Sequence, residues 1–289
     1  MACAFDAGSL AGDRGIPSSV RLICLLAALA AATAGCASPV YRKHPELSRK
    51  TRAIRDMGLL PPAIAMYEER FRFKLVPREE WSREATDAVR KAFIEEMTAA
   101  GLPVAAIGGE DRELSEMAEL FGAVDFSIGR HVYKDALKET FPGKVRAFDY
   151  SLGAAGEAMA RHGVDAVWIV TGANLLPTAG TQVADAVDVL MAIAGGLGGA
   201  PTFAPYLVKL EFRAALIDGN GTVLFYCRLG EADLWRAAQD IARADPSRAG
   251  QDPGRDVGDA SIRDDIRDPR IARRCVRALI SEFRKATAP

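Results

Sequence analysis

The chain has 289 residues, with 37 lysines and arginines against 38 aspartates and glutamates, so its formal net charge at pH 7 is −1. That length is enough for one large domain with a buried core or for two small ones, and we predict one. The balanced charge argues against a nucleic-acid-binding protein, which would carry a basic face. The three histidines have no further Cys or His at ligand spacing, so we predict neither a metal site nor a cofactor.

The first 35 residues have the pattern of an export signal. Arg14 and Arg21 give a positively charged segment, and thirteen largely apolar residues follow at positions 22–34. This apolar segment is too short to span a bilayer as a helix. We therefore predict that residues 1–35 are a signal peptide that is removed from the mature protein.

The sequence Leu-Ala-Ala-Ala-Thr-Ala-Gly-Cys at residues 29–36 resembles the cleavage and acylation site of bacterial lipoproteins, with Thr33 where that family usually has Leu, Val or Ile. The resemblance implies that the chain is cut before Cys36, and that diacylglycerol and further acyl chains such as palmitate anchor this cysteine in a lipid bilayer. Ala37 and Ser38 follow in place of the aspartate of inner-membrane lipoproteins, which implies the periplasmic face of the outer membrane. The alternative is an ordinary secretory signal that is cut nearby.

Residues 36–51 are polar and contain two prolines, so we predict that they are the lipid anchor and a tether, with His44 as a solvated linker residue. The folded domain is then predicted to cover residues 52–289.

Two short strands and a long helix are predicted at the start of this domain. Residues 57–60 form a buried run that stops at Pro61-Pro62, because proline cannot donate to a central strand ladder. Apolar residues alternate at 71–75, which suggests a second short strand. A helix follows and ends at Gly101; its apolar face consists of Trp81, Ala85, Val89, Ala92, Phe93 and Met97.

A glycine turn lies between the next predicted elements. Residues 104–107 are predicted to be a buried strand and residues 110–121 a helix, followed by a strand in the alternating segment 124–128. Gly108-Gly109 has the position of a phosphate-binding turn. The Walker ending and the full dinucleotide motif are missing, however, and Glu110-Asp111 would repel a phosphate.

Asp149, Ser151 and His162 are the residue types of a hydrolase triad, and they offer the alternative of an enzyme. No nucleophile-elbow glycine pattern surrounds Ser151. Asp149 or Ser151 can instead be the N-cap of a helix that ends near His162, where a histidine interacts favourably with the helix dipole. We therefore predict no catalytic residue.

Residues 164–171 are an almost continuous apolar run, as expected for a central strand that is covered on both faces. A helix-like stretch follows at 182–200, and its second half, residues 189–200, carries no charge. It is either a core helix or an exposed interface that contacts a neighbouring subunit or the membrane; the interface residues would be Leu190, Ile193, Ala194 and Leu197.

The C-terminal part is predicted to hold a hairpin, a mobile excursion and a helix. Residues 207–217 and 223–229 flank Asp-Gly-Asn-Gly-Thr at 218–222, a turn that cannot be an EF-hand loop because its twelfth position is Leu229. Residues 243–267 have little to bury, which indicates the excursion. Asp268 and Pro269 then begin an amphipathic helix with the apolar stripe Ile271, Cys275, Leu279 and Phe283.

Two cysteines, Cys227 and Cys275, follow Cys36, and we predict that both face the same core. An oxidising periplasm permits a disulfide between them. The alternative is that each is a small buried hydrophobic side chain.

These elements predict an α/β fold, with a single mixed β-sheet flanked by helices, a long hairpin and a C-terminal amphipathic helix. The lipidated cysteine, the strand at Val164-Asp-Ala-Val167 and the hairpin Leu-Ile-Asp-Gly-Asn-Gly-Thr-Val-Leu-Phe at 216–225 resemble outer-membrane assembly lipoproteins. The similar families are those of curli secretion and Pel polysaccharide export, together with the N-terminal domain of the Tol periplasmic protein.

This resemblance implies scaffolding at the outer membrane without catalysis. The partners would be the lipid bilayer, through the acylated N-terminus, and either further copies of the chain or another envelope protein. The alternative is a lipid-anchored module that binds a small molecule or glycan in a pocket lined by Trp168, Tyr206 or Trp235.

Overall fold

A mixed β-sheet of eight strands has helices packed on both of its faces. The computed structural model describes residues 40–70, 74–133, 141–177, 210–230, 233 and 265–288. The predicted α/β class, with one mixed sheet, flanking helices, a long hairpin and a C-terminal helix, is confirmed.

The strands are β1 (Tyr41–Lys43), β2 (Met57–Leu59), β3 (Ala63–Arg70), β4 (Lys74–Pro77), β5 (Val104–Ala106), β6 (Ala166–Pro177), β7 (Leu210–Asp218) and β8 (Val223–Gly230). The helices are α1 (Leu47–Thr51), α2 (Glu79–Ala99), α3 (Arg112–His131), α4 (Pro142–Ala147), α5 (Gly156–Arg161) and α6 (Pro269–Thr287).

The longest strand, β6, organises the sheet. It pairs antiparallel with β7 on one side, and on the other side it pairs in parallel first with β2 and then with β3. Pro61 and Pro62 separate these two partner strands, because proline has no N–H for the ladder. The strand order is β1-β8-β7-β6-β2-β5, and β4 pairs with β3.

Side chains of β6 alternate between two hydrophobic cores. Trp168 and Val170 lie in a core formed with α2 and α6, and Val167 and Ile169 lie in a core formed with α3. We call these the α2–α6 core and the α3 core. Burial on both faces explains why this strand has a continuous apolar sequence rather than an alternating one.

Local signals in the C-terminal half are confirmed. The carboxylate of Asp268 accepts a hydrogen bond from the backbone N–H of Arg270 at 2.8 Å and so caps α6. In the hairpin turn, Asp218 Oδ1 accepts hydrogen bonds from the backbone N–H groups of Asn220 and Thr222. Gly221 has a φ of 75°, which a residue with a side chain rarely adopts.

The predicted strand at 124–128 is wrong, because α3 continues through it to His131. The buried residues of this helix, Leu114, Met117, Phe121 and Ile128, recur at the three-, four- and seven-residue spacing of a helical face. Phe126, which fitted the alternating pattern of a strand, is 66% exposed.

The predicted tether is also wrong for residues 40–51, which belong to the folded unit. Tyr41 pairs with Cys227 in the β1–β8 ladder, and the N–H of His44 donates to the carbonyl of Leu224 at 2.8 Å. Leu47 of α1 is fully buried. The polar composition that suggested a linker reflects an edge strand and a short surface helix, each of which has one solvated side.

Several predictions fall on residues outside the described ranges. These are the signal peptide at 1–35, Cys36, the candidate interface residues Leu190, Ile193, Ala194 and Leu197, and most of the excursion, residues 243–264. At its end, Ile266 is buried and its N–H donates to Asn174 Oδ1, so residues 265–267 belong to the fold. Within the described part of the chain, none of the helices has the length and apolar character needed to cross a membrane.

Candidate functional site

Val40, the first described residue, lies at one end of the sheet. The carbonyl of Val40 accepts hydrogen bonds from the N–H of Arg228 at 3.0 Å and from the hydroxyl of Tyr133 at 3.4 Å. Because neighbouring strands run antiparallel here, the same end holds the end of β8, the start of β7 and the end of β6. We call it the Val40 end of the sheet.

A network of charged side chains lies between α3 and the sheet at this end. Asp125 of α3 accepts a hydrogen bond from the Tyr226 hydroxyl at 2.6 Å through Oδ1 and a salt bridge from Arg213 through Oδ2. Arg213 also pairs with Glu211, whose other oxygen accepts from Arg228. We call these five residues the Asp125 network.

Burial and charged neighbours together shift the pKa values of Tyr226 and Glu211 in this network. Burial raises the pKa of Tyr226, and the charge of Asp125 and its hydrogen bond raise it further, so the phenol stays protonated. Burial also acts to raise the pKa of Glu211, but hydrogen bonds and charge from Arg213 and Arg228 outweigh it and lower that pKa. Glu211 is therefore held as a carboxylate between two guanidinium groups.

The Asp125 network connects α3 with the sheet. Both oxygens of Asp125 and both oxygens of Glu211 accept a hydrogen bond from a cation or a phenol. These contacts join α3 to β7 and β8.

Next to the network, two aromatic rings connect it with β1. The rings of Tyr133 and Tyr226 lie 5.7 Å apart, and the guanidinium carbon of Arg42 lies 5.6 Å from the centre of the Tyr133 ring. An Arg42 N–H donates to the carbonyl of Val132 at 3.4 Å. The first strand is therefore fixed to the C-terminal end of α3 as well as to β8.

The sequence contained a signal for the network that the prediction missed. Asp125 occupies an apolar position of the helical face that holds Phe121 and Ile128, and a charged residue at such a position needs a partner. Glu211 and Arg213 alternate in β7 with residues of the α2–α6 core, which places them on the α3 side. With a strand predicted at 124–128, the position of Asp125 on the apolar face of a helix is not recognised.

The glycine turn before α3 presents its helix N-terminus to a carboxylate of the chain itself. Asp111 Oδ1 accepts hydrogen bonds from the N–H groups of Glu113 at 3.1 Å and Leu114 at 3.2 Å. The pKa of Asp111 is lowered to about 2, mainly by the hydrogen bond from Leu114. Burial opposes this shift, and hydrogen bonds from Arg161 and His162 add to it. The carboxylate of Asp111 thus occupies the N–H groups of the helix N-terminus to which a phosphate would have to bind.

The residues of the hydrolase alternative each have a different partner. His162 Nε2 lies 3.1 Å from Asp111, Asp149 pairs with Lys144 at 2.8 Å, and Ser151 Oγ accepts from the N–H of Gly153 at 3.3 Å. The predicted N-cap at Asp149 or Ser151 is wrong, because α5 begins later with Ala155 as its cap. His162 directly follows this helix, near the predicted end.

Cys227 and Cys275 are both thiols and not a disulfide. Both are buried in the α2–α6 core, as predicted, and burial raises the pKa of the Cys227 thiol well above its usual value. Of the two alternatives, the structure therefore has the small buried side chains.

The described surface offers two open depressions of about 400 Å³. One is lined by Asp111, Arg112, Glu113, Glu116 and Arg161, and the other by residues of α5 and of the segment after it together with Gly219. Trp168, a predicted pocket residue, is fully buried in the α2–α6 core, and Tyr206 and Trp235 lie outside the described ranges. In the described ranges, no three or more His, Cys, Asp or Glu side chains are grouped to hold a metal ion.

Comparisons of the chain with protein-family models, with curated proteins and with solved structures gave no match. The resemblance to outer-membrane assembly lipoproteins therefore stays a prediction.

Proposed function

We propose that this protein is anchored by lipid to the periplasmic face of the outer membrane and acts as an assembly, export or envelope scaffold through protein contacts, without catalysis. One observation supports it most. The folded unit begins at Val40, only four residues after Cys36, the residue that resembles a lipoprotein acylation site.

This spacing favours a body fixed at the membrane. A fully extended chain spans at most about 3.6 Å per residue, so Val40 would lie within about 14 Å of an acylated Cys36. A binding module that searches the periplasm for its ligand would gain from a long tether, whereas a scaffold gains from a defined position. Two sets of contacts add to this. The Asp125 network joins α3 to β7 and β8 through paired charges, and Arg42 and Tyr133 join the first strand to the C-terminal end of α3.

Metabolic labelling with a palmitate analogue and membrane flotation test the anchor. The native protein should incorporate the label and float with outer-membrane vesicles even in about 1 M salt, which screens electrostatic attraction, and Cys36→Ser should do neither. Cys3→Ser is the matched control, because it also removes one cysteine from the N-terminal region but not the proposed acylation site. Equal labelling and flotation of native protein and Cys36→Ser would contradict the proposal.

Mass measurement of the native protein after mild detergent extraction tests the scaffold. We expect a defined homo-oligomer or a complex of fixed stoichiometry with another envelope protein. A monomer that binds a small molecule or a glycan with saturable affinity would instead support the binding module and overturn the scaffold.

A further inference from the structure

A strongly basic segment follows the proposed lipidation site. Residues 42–55 contain six arginines and lysines and only one acidic residue, whereas the whole chain has a net charge of −1. We call this segment the basic edge. All of it lies within the described residues, where it forms most of β1, all of α1 and the turn before β2.

The fold holds the basic edge at the border of the sheet. β1 pairs with β8, and in the described part of the chain no strand pairs with its other side. Two lysines attach the segment to the body: Lys43 donates to the carbonyl of Ala286 at 2.7 Å, and Lys50 pairs with Asp218 at 2.6 Å.

Three of the four arginines of the basic edge are turned to solvent, whereas Arg42 packs against Tyr133. Arg52 and Arg55 are exposed, and the side chain of Arg49 is 74% exposed even though it pairs with Glu46. An exposed ion pair of this kind contributes little to stability, so the fold itself gives a weak reason for this concentration of positive charge.

We propose that the basic edge binds anionic phospholipid headgroups of the bilayer that holds Cys36. This inference rests on the proposed lipid anchor, because Val40 would then lie within about 14 Å of the anchored residue and the basic edge starts two residues later. An acyl anchor and a polybasic surface commonly act together at membranes. Each arginine or lysine near an anionic surface strengthens binding by about fivefold.

Vesicle binding of an unacylated protein isolates the contribution of charge. The protein would lack residues 1–35 and carry Cys36→Ser, which keeps every described element because the fold begins at Val40. The probes are vesicles of phosphatidylglycerol with phosphatidylethanolamine and vesicles of phosphatidylcholine alone. We expect binding to the anionic vesicles only, and weaker binding when about 1 M salt shortens the screening length from about 10 Å to about 3 Å.

Removing two charges from the basic edge should then weaken binding. Arg49→Gln with Arg52→Gln should lower the affinity for anionic vesicles by about 25-fold. The control pair is Arg83→Gln with Arg112→Gln, two exposed arginines of α2 and α3 that change the net charge equally. Circular dichroism would confirm that both pairs are folded.

Equal affinities of the two double variants for anionic vesicles would overturn the proposal. Binding of the protein to vesicles of pure phosphatidylcholine would overturn it as well. A third outcome would also overturn it: the Arg49→Gln, Arg52→Gln variant binds vesicles as before, but a protein that co-purifies with the native chain from detergent extracts is lost. The basic edge would then bind an acidic protein. This test uses no acyl chain, so its failure is distinguishable from a failure of Cys36 labelling.

Discussion

The two faces of the sheet are stabilised in different ways. In the α2–α6 core, Trp168 packs edge-on against Phe93, Phe225 and Phe283 at centroid distances of 5.2–6.0 Å. In the α3 core, a buried carboxylate, Asp125, lies among apolar side chains and is balanced by an arginine and a phenol. Apolar packing tolerates small shifts of a helix, whereas a hydrogen-bonded charge has only a few satisfactory positions. The comparison suggests that the α2–α6 core provides more of the stability and the α3 core more of the positional definition.

The largest effect is expected from Trp168→Ala in the α2–α6 core. Deleting a fully buried aromatic side chain should lower the free energy of unfolding by about 3–5 kcal/mol. The indole N–H has no hydrogen-bond partner among the described residues, so Trp168→Phe should cost clearly less. Urea unfolding would measure both, and equal losses for the two variants would show that packing by the ring is not what stabilises this face.

Asp125→Ala should have the next largest effect, on the α3 core. The substitution removes the acceptor of the Tyr226 hydroxyl and one of the two carboxylates that pair with Arg213, which keeps Glu211. Because the Arg213 side chain is 30% exposed and water can solvate it, we expect a loss of about 2–3 kcal/mol in urea unfolding. Asp125→Asn keeps the shape and one acceptor and should lose less.

A separate measurement sharpens the comparison of the two faces. If the network defines position, hydrogen exchange of α3 should accelerate in Asp125→Ala more than exchange of α6 does. Equal acceleration in both helices would mean that the two faces respond as one unit and that the network has no special role in positioning α3.

The smallest effect is expected on the pH dependence of stability, to which Asp111 contributes as the N-cap of α3. Because the folded pKa of Asp111 is lowered to about 2 from an ordinary value of 3.8, its ionised form contributes stability above about pH 4, and this contribution is lost as the pH falls towards 2. Asp111→Ser can still cap the helix but has no charge to titrate. Acid unfolding of this variant should depend less on pH between 4 and 2; an unchanged profile would contradict the assignment to Asp111.

The sequence predicted the α2–α6 side of the molecule well and the α3 side less well, for a physical reason. The face of α2 with Val89 and Phe93 and the cap at Asp268 are local patterns that a short window contains in full. The buried position of Asp125 is explained only by its salt bridge with Arg213, which lies in a distant strand. The alternation of apolar residues at 124–128 also fits a strand. Likewise, Tyr41–Lys43 become part of a sheet only by pairing with β8, which lies far along the chain.

The β1–β8 ladder has a consequence for the order in which the protein can fold. Tyr41 is synthesised early, but its partner Cys227 is synthesised only after most of the chain. β1 therefore cannot pair until β8 is present, and a contact between such distant residues forms late in a folding reaction. A chain cut short before β8 would keep residues 42–55 but would have no sheet edge on which to place them. The exposed arginines of the basic edge therefore reach their place in the fold only in a chain that has folded as far as Gly230.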